Sequence, residues 1–150
     1  MRKYITLIIV AFSTFLSCEK DDICIDPITP NLVIRFNDFD NPAEFKEVSN
    51  LTVWANGKDS LYENKTLDSI SIPLDINEDF TVYKLSANEI VDDIHFIYSR
   101  DNVFVSRSCG YKINYHNLEI ENNSNNWIKN IEINNITIDN DTAAQVTIFH

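Results

Sequence analysis

Glycine is almost missing from this chain: Gly57 and Gly110 are the only two in 150 residues. Loops that cradle phosphates and the fingerprint turn of dinucleotide-binding folds both need several glycines close together, so those classes drop out. Basic residues are scarce as well, with 12 Lys and Arg against 23 Asp and Glu. Such a charge balance repels phosphate backbones and removes nucleic acid from the expected partners. It equally disfavours anionic lipid headgroups as a binding surface. The three histidines, His95, His116 and His150, show no i, i+2 or i, i+4 pairing, so a zinc site would have to be assembled by the fold. No metal or other cofactor is expected. A nucleophile elbow, a zinc-protease helix and similar catalytic motifs are also missing, which points away from an enzyme. Long apolar runs are absent too. Tyr4 to Phe15 is mostly apolar but broken by Thr6, Ser13 and Thr14, and it falls short of the roughly 20 residues that cross a bilayer.

That short apolar stretch nevertheless has a meaning where it stands. It follows Arg2 and Lys3 and ends in Leu16-Ser17-Cys18, the zoning of a secretion signal. A small residue directly before a cysteine resembles the lipobox of bacterial lipoproteins, with Phe15 where Leu is usual. The resemblance implies cleavage after residue 17 and lipidation of Cys18. Glu19, Lys20, Asp21 and Asp22 then resemble the lysine-plus-acidic signal that sends lipoproteins of Bacteroidota to the outer face of the outer membrane. The expected location is therefore the outer membrane, lipid-anchored and facing the cell exterior, with periplasm-facing attachment as the alternative. Loss of Arg2 and Lys3 leaves 10 basic residues against 23 acidic, a net charge of −13. Each buried methylene contributes about 0.8 kcal/mol, so two or three acyl chains hold such a protein on the membrane.

With Cys18 lipidated, Cys24 and Cys109 remain. Two thiols in an oxidising compartment suggest a disulfide. It would close 85 residues and, on the chain-entropy model, stabilise by roughly 4–5 kcal/mol. It would also pin the lipidated end to the body of the protein.

Residues 1–17 thus read as signal peptide and 18–30, punctuated by Pro27 and Pro30, as a lipidated tether. Residues 31–150 form one domain, read as all-β. Apolar residues recur with period two in Leu32-Ile34-Phe36, Leu51-Val53, Ile70-Ile72, Ile94-Phe96-Tyr98, Tyr111-Ile113-Tyr115, Leu118-Ile120 and Val146-Ile148, which puts one face inward and one outward. Turn chemistry breaks the pattern at Asn37 to Pro42, Asn56-Gly57, Arg100 to Asn102 and Asn122 to Asn126, and Asn-Gly between alternating runs is a strong hairpin signal. The apolar set shifts from odd to even numbers between Tyr115 and Leu118, which predicts a bulge or bend. Ser86 to Val91, with Glu89 three residues after Ser86, has the start of a helix. Eight or nine short strands predict an antiparallel β-sandwich, immunoglobulin-like or transthyretin-like, with a closed barrel as runner-up. Ala143 to His150 reads as a strand tied into a sheet.

Candidate binding residues are few. Trp54 alternates with Leu51 and Val53, and Trp127 follows an Asn-rich loop; exposed rings of this kind serve sugar-binding sandwiches as stacking platforms. Asp38, Asp40, Asn41 and Glu44 resemble the start of a calcium loop but lack its glycine and are interrupted by Pro42. Asp59-Ser60-Leu61, Asp68-Ser69-Ile70 and Asp141-Thr142-Ala143 resemble an O-glycosylation tripeptide of exported proteins.

Several runs resemble one group of small lipoproteins: Cys18 to Cys24, Pro30 to Phe36, Asn50-Leu51-Thr52-Val53-Trp54, and Val105 to Tyr111. They look like the Bacteroidota lipoproteins of domain of unknown function 6452. The resemblance implies a lipoprotein and supplies no catalytic residue. The leading expectation is a surface lipoprotein acting as a non-catalytic binding or structural module of the envelope. Its partners would be the membrane, through the anchor, and a protein or glycan ligand. The alternatives are a carbohydrate-binding accessory protein, on Trp54 and Trp127, and a hydrolase whose site is built from distant strands.

Overall fold

The structure, a computed structural model, describes Cys24 and residues 29–150. Among these the chain forms nine strands: β1 (Leu32–Asn37), β2 (Val48–Ala55), β3 (Ser60–Leu67), β4 (Ser69–Ile72), β5 (Phe80–Ala87), β6 (Ile90–Ser106), β7 (Gly110–Asn123), β8 (Asn130–Ile133) and β9 (Val146–Phe149). They make two open sheets, ordered β4-β1-β9-β8 and β3-β2-β5-β6-β7, which pack as the expected β-sandwich rather than a closed barrel. Alternation drives the packing. Leu32, Ile34 and Phe36 of the first sheet and Leu51, Val53, Leu85, Ile94 and Phe96 of the second are wholly buried in one core.

Most pairings are antiparallel, but β1 and β9 run parallel, Ile34 opposite Val146 through Asn37 opposite Phe149. All four residues of β9 are buried, as befits a strand with a neighbour on each side. The expected strand at Ala143 to His150 is therefore present, placed at the centre of its sheet. The Asn56-Gly57 signal is also met: β2 turns there into β3, with Gly57 at φ 73°, a left-handed conformation that glycine adopts freely. The shift between Tyr115 and Leu118 is a bulge. Ser99 lies opposite His116 and Ile97 opposite Glu119, leaving one extra residue on β7, and Asn117 stands at φ 54°.

Two local expectations fail. Arg100 to Asn102 is not a turn; β6 runs straight through it, with Arg100 opposite Tyr115 and Asn102 opposite Ile113. The strand has left the core by then, so polar side chains replace the alternation without breaking the ladder. The reversal comes later, at Arg107 to Cys109. Ser86 to Val91 is not a helix either. Ala87 pairs with Ile90 across Asn88 and Glu89, whose φ values of 49° and 71° make a two-residue hairpin turn. Cross-strand pairing of Ser86 with Val91 overrides the local capping pattern.

Buried polar groups hold the chain where it passes from one sheet to the other. Between β4 and β5, three tyrosines on adjacent strands donate to successive carbonyls: Tyr83 to Pro73, Tyr115 to Leu74 at 3.3 Å and Tyr98 to Asp75 at 3.1 Å. Burial pushes the Tyr83 and Tyr98 hydroxyls well up, and that of Tyr115 to about 12, so they stay protonated donors. Between β7 and β8 the anchor is Asp92, whose side chain is wholly buried. It accepts from Ser124 Oγ at 2.7 Å and from the backbone N–H groups of Asn126, Trp127 and Ile128 at 2.6, 2.8 and 2.9 Å. Burial disfavours its charge, but these four donors together hold the carboxyl below the usual range.

Candidate functional site

Trp54 occupies the outward face of β2, since Leu51 and Val53 take the inward one. Register sets it opposite Lys84 on β5, and Lys84 opposite Asp93 on β6, where the two charges pair at 2.7 Å. The half-buried indole forms the wall of an open groove of about 460 Å³. Thr52 and Ser86, themselves register partners, complete its floor, and Asn50, Asn64, Asn88 and Glu89 make its rim. On the other side of Trp54 a second groove of about 500 Å³ is lined by Lys58, Asp59, Ser60 and Glu63. The ring is thus a ridge with a hollow on each side.

The rim has one local cause. All four rim residues lie in the left-handed region, Asn50 at φ 51°, Asn64 at 46°, Asn88 at 49° and Glu89 at 71°. Asn50 and Asn64 mark bulges, as Val48 pairs with Leu67, Leu51 with Lys65 and Val53 with Tyr62. Bulges bend the strands that carry them, which hollows a face that would otherwise be flat. Asparagine tolerates this conformation through its short polar side chain, whereas Glu89 bears real strain, of order 1 kcal/mol. The amides also brace one another: Asn50 Nδ2 donates to Asn88 Oδ1 at 2.9 Å, and Asn64 N–H to Thr52 Oγ1 at 3.2 Å. Chemically the site offers a flat aromatic face surrounded by amides and hydroxyls. Among the described residues lining it, Glu89 is the one carboxylate, while Asp59 and Glu63 line the second groove.

Trp127 is placed differently. Its indole N–H donates to Leu85 O at 3.0 Å, and its ring meets Phe36 at 6.3 Å and His150 at 5.7 Å between centroids. Its exposed edge lines a smaller hollow of about 270 Å³ that shares Asn88 with the Trp54 groove. The tryptophans therefore flank the Asn88-Glu89 turn without forming one platform.

Cys24 and Cys109 are bonded, their Cα atoms 4.9 Å apart. Cys109 lies in the turn of the β6–β7 hairpin, and Thr29 strengthens the attachment by accepting from the Ile113 N–H at 3.0 Å. Cys18, Glu19, Lys20, Asp21 and Asp22 lie outside the described residues. The calcium-like cluster is spent on its own turn: Asp38 Oδ1 accepts from the Asp40 and Asn41 N–H groups at 2.7 and 3.0 Å, and Oδ2 pairs with Lys46 at 2.8 Å. Lys46 and the turn amides accordingly hold the Asp38 carboxyl low. Among the described residues no three of His, Cys, Asp and Glu converge as metal ligands, and no helix is long and apolar enough to cross a membrane. In the tripeptides, Ser60 and Thr142 are exposed and Ser69 half-buried.

The groove rim and Asp92 were not singled out by motif. Isolated Asn residues inside alternating runs were the available signal for the rim. Asp92 sits next to Asp93, and only the fold buries one and leaves the other at the surface. No curated protein and no solved structure matches the chain. Its residues 50–150, the stretch from the groove rim to the central strand β9, match the model described as a family of unknown function, DUF6452, and the chain belongs to that family.

Proposed function

We propose that this protein is a lipid-anchored lipoprotein of the outer membrane, displayed toward the cell exterior, that works as a non-catalytic binding or structural module of the envelope. The observation that carries this reading is the Cys24–Cys109 bond. It fastens the segment six residues beyond Cys18 to the tip of the long β6–β7 hairpin. Asp93, level with Trp54, lies 13 residues from Ser106 along β6, a path of roughly 43 Å. An anchor at one end thus holds the groove out at the other, which suits a module that meets ligands away from its membrane. Replacing Cys18 with Ala should move the protein from the membrane to the soluble fraction, and undiminished membrane retention would refute the anchor. Protease shaving of intact cells separates the two membrane faces: digestion is expected, and full protection would transfer the protein to the periplasmic side.

A second reading, a carbohydrate-binding accessory protein, is favoured by the Trp54 groove. An indole face stacks on a sugar ring while the amides of Asn50, Asn64 and Asn88 reach its hydroxyls. Glycan-array binding that disappears on Trp54→Ala supports it; an array with no bound polysaccharide rules it out.

A further inference from the structure

We propose that the tip of the β6–β7 hairpin is a membrane-facing foot, which seats Phe104 and Tyr111 at the bilayer interface and sets Arg107 and Lys112 against anionic headgroups. This rests on the reading of Cys18 as the lipid anchor. Three independent features meet at this tip. The first is exposure: Phe104 is 56% and Tyr111 70% accessible, and the rings stack edge to face with centroids 5.3 Å apart. Aromatic side chains with one apolar face suit the membrane–water boundary.

The second is charge. Residues 102 to 118 contain no Asp or Glu, the longest such stretch among the described residues, in a chain with 23 acidic residues. Arg107 and Lys112 lie within it, and Arg107 is exposed in the turn. Lys112 Nζ reaches the Asp139 carbonyl at 3.3 Å, and Asp101, opposite Asn114, is the nearest acid along β6. The overall negative charge repels an anionic surface, and the segment that leads to Cys24 adds Glu19, Asp21 and Asp22. The hairpin stretch from 102 to 118, however, carries only its two cations, and a lysine or arginine close to such a surface contributes about 1 kcal/mol. The third is reach. Six residues separate Cys18 from Cys24, which spans at most about 21 Å of chain. The disulfide then delivers that short leash to Cys109, two residues from Tyr111. A lipid at Cys18 therefore keeps this tip within about 21 Å of the bilayer surface.

Tryptophan fluorescence of the intact lipidated chain, reconstituted into phosphatidylcholine–phosphatidylglycerol vesicles containing brominated phospholipid, tests the assignment. The native tryptophans, Trp54 and Trp127, both belong to the groove end and provide the background. Brominated lipid should leave native emission unchanged and remove the emission added by Tyr111→Trp or, as a second variant, by Phe104→Trp. Reversing charge with Arg107→Glu and Lys112→Glu should restore much of it. A chain that floats with vesicles while neither added tryptophan is quenched overturns the foot and leaves the anchor standing. Failure to float overturns both. Quenching of native emission would place the groove end on the membrane and also overturn the proposal, as would concentration-dependent burial of the added tryptophans in detergent without lipid quenching, which assigns the tip to a second copy. Equal quenching in phosphatidylcholine alone removes the role given to the headgroups.

Discussion

Strand β6 starts beside a hollowed, polar groove and ends in a bare hairpin, and the two ends are secured by different physics. At the groove end a buried carboxylate, Asp92, gathers four donors and fixes the crossing from β7 to β8. At the tip no core remains beneath the strands, and Phe104 and Tyr111 are left in solvent. There a covalent bond to Cys24 does the fastening. Noncovalent anchoring works where burial makes each hydrogen bond strong, and a disulfide works where burial is lacking. The groove end is thus held by the strands' own side chains, and the tip is held by its bond to Cys24.

The largest effect expected is at the tip. Cys109→Ser should lower stability by about 4–5 kcal/mol on the chain-entropy model, read by denaturant unfolding without reductant. A loss below about 1 kcal/mol would mean the bond only positions Cys24 and leaves the domain's stability to its core. Next comes Asp92→Asn, which turns an amide donor toward the N–H groups of Asn126 to Ile128 and should cost about 3 kcal/mol. Because the folded Asp92 carboxyl titrates below its unfolded value of about 3.9, its contribution is present above that value. It is lost as pH falls through the lower folded value. The acid limb of the stability curve should therefore flatten in Asp92→Asn, and an unchanged limb assigns that pH dependence to other carboxylates.

Glu89→Asn should raise stability by about 1 kcal/mol, by relieving the strain of a glutamate at φ 71°. A destabilised variant would show instead that the Glu89 side chain holds the turn. The smallest change is in kinetics of exchange. Amides of residues 101 to 106 should exchange faster than those of 94 to 98, where Ile94, Phe96 and Tyr98 lie in the core. Equal protection along β6 would erase the contrast between the two ends.

Much of this architecture was legible beforehand because alternation is a local signal. Period two marked most of the strands but not β3, whose side chains are nearly all exposed; Asn56-Gly57 marked a hairpin, and the parity change before Leu118 marked the Asn117 bulge. Errors arose where local letters meet a non-local partner. Arg100 to Asn102 reads as a turn only if its pairing with Ile113 to Tyr115 is unknown. Ser86 to Val91 reads as a helix start only if Ala87 is not already opposite Ile90. Half of the tryptophan reading was legible in the same way, since the outward position of Trp54 follows from its neighbours. The seat of Trp127 against Phe36 and His150 follows only from folding.

By itself, then, the sequence determined the all-β class and the availability of Cys24 and Cys109 as partners, because side-chain period and thiol number are properties of the chain. Tertiary structure alone decided that β9 lies parallel to β1, that Asp92 rather than Asp93 is buried, and that four left-handed residues share one rim. Each depends on which segments become neighbours, and the energy of burying a polar group or bending a strand is set by those neighbours.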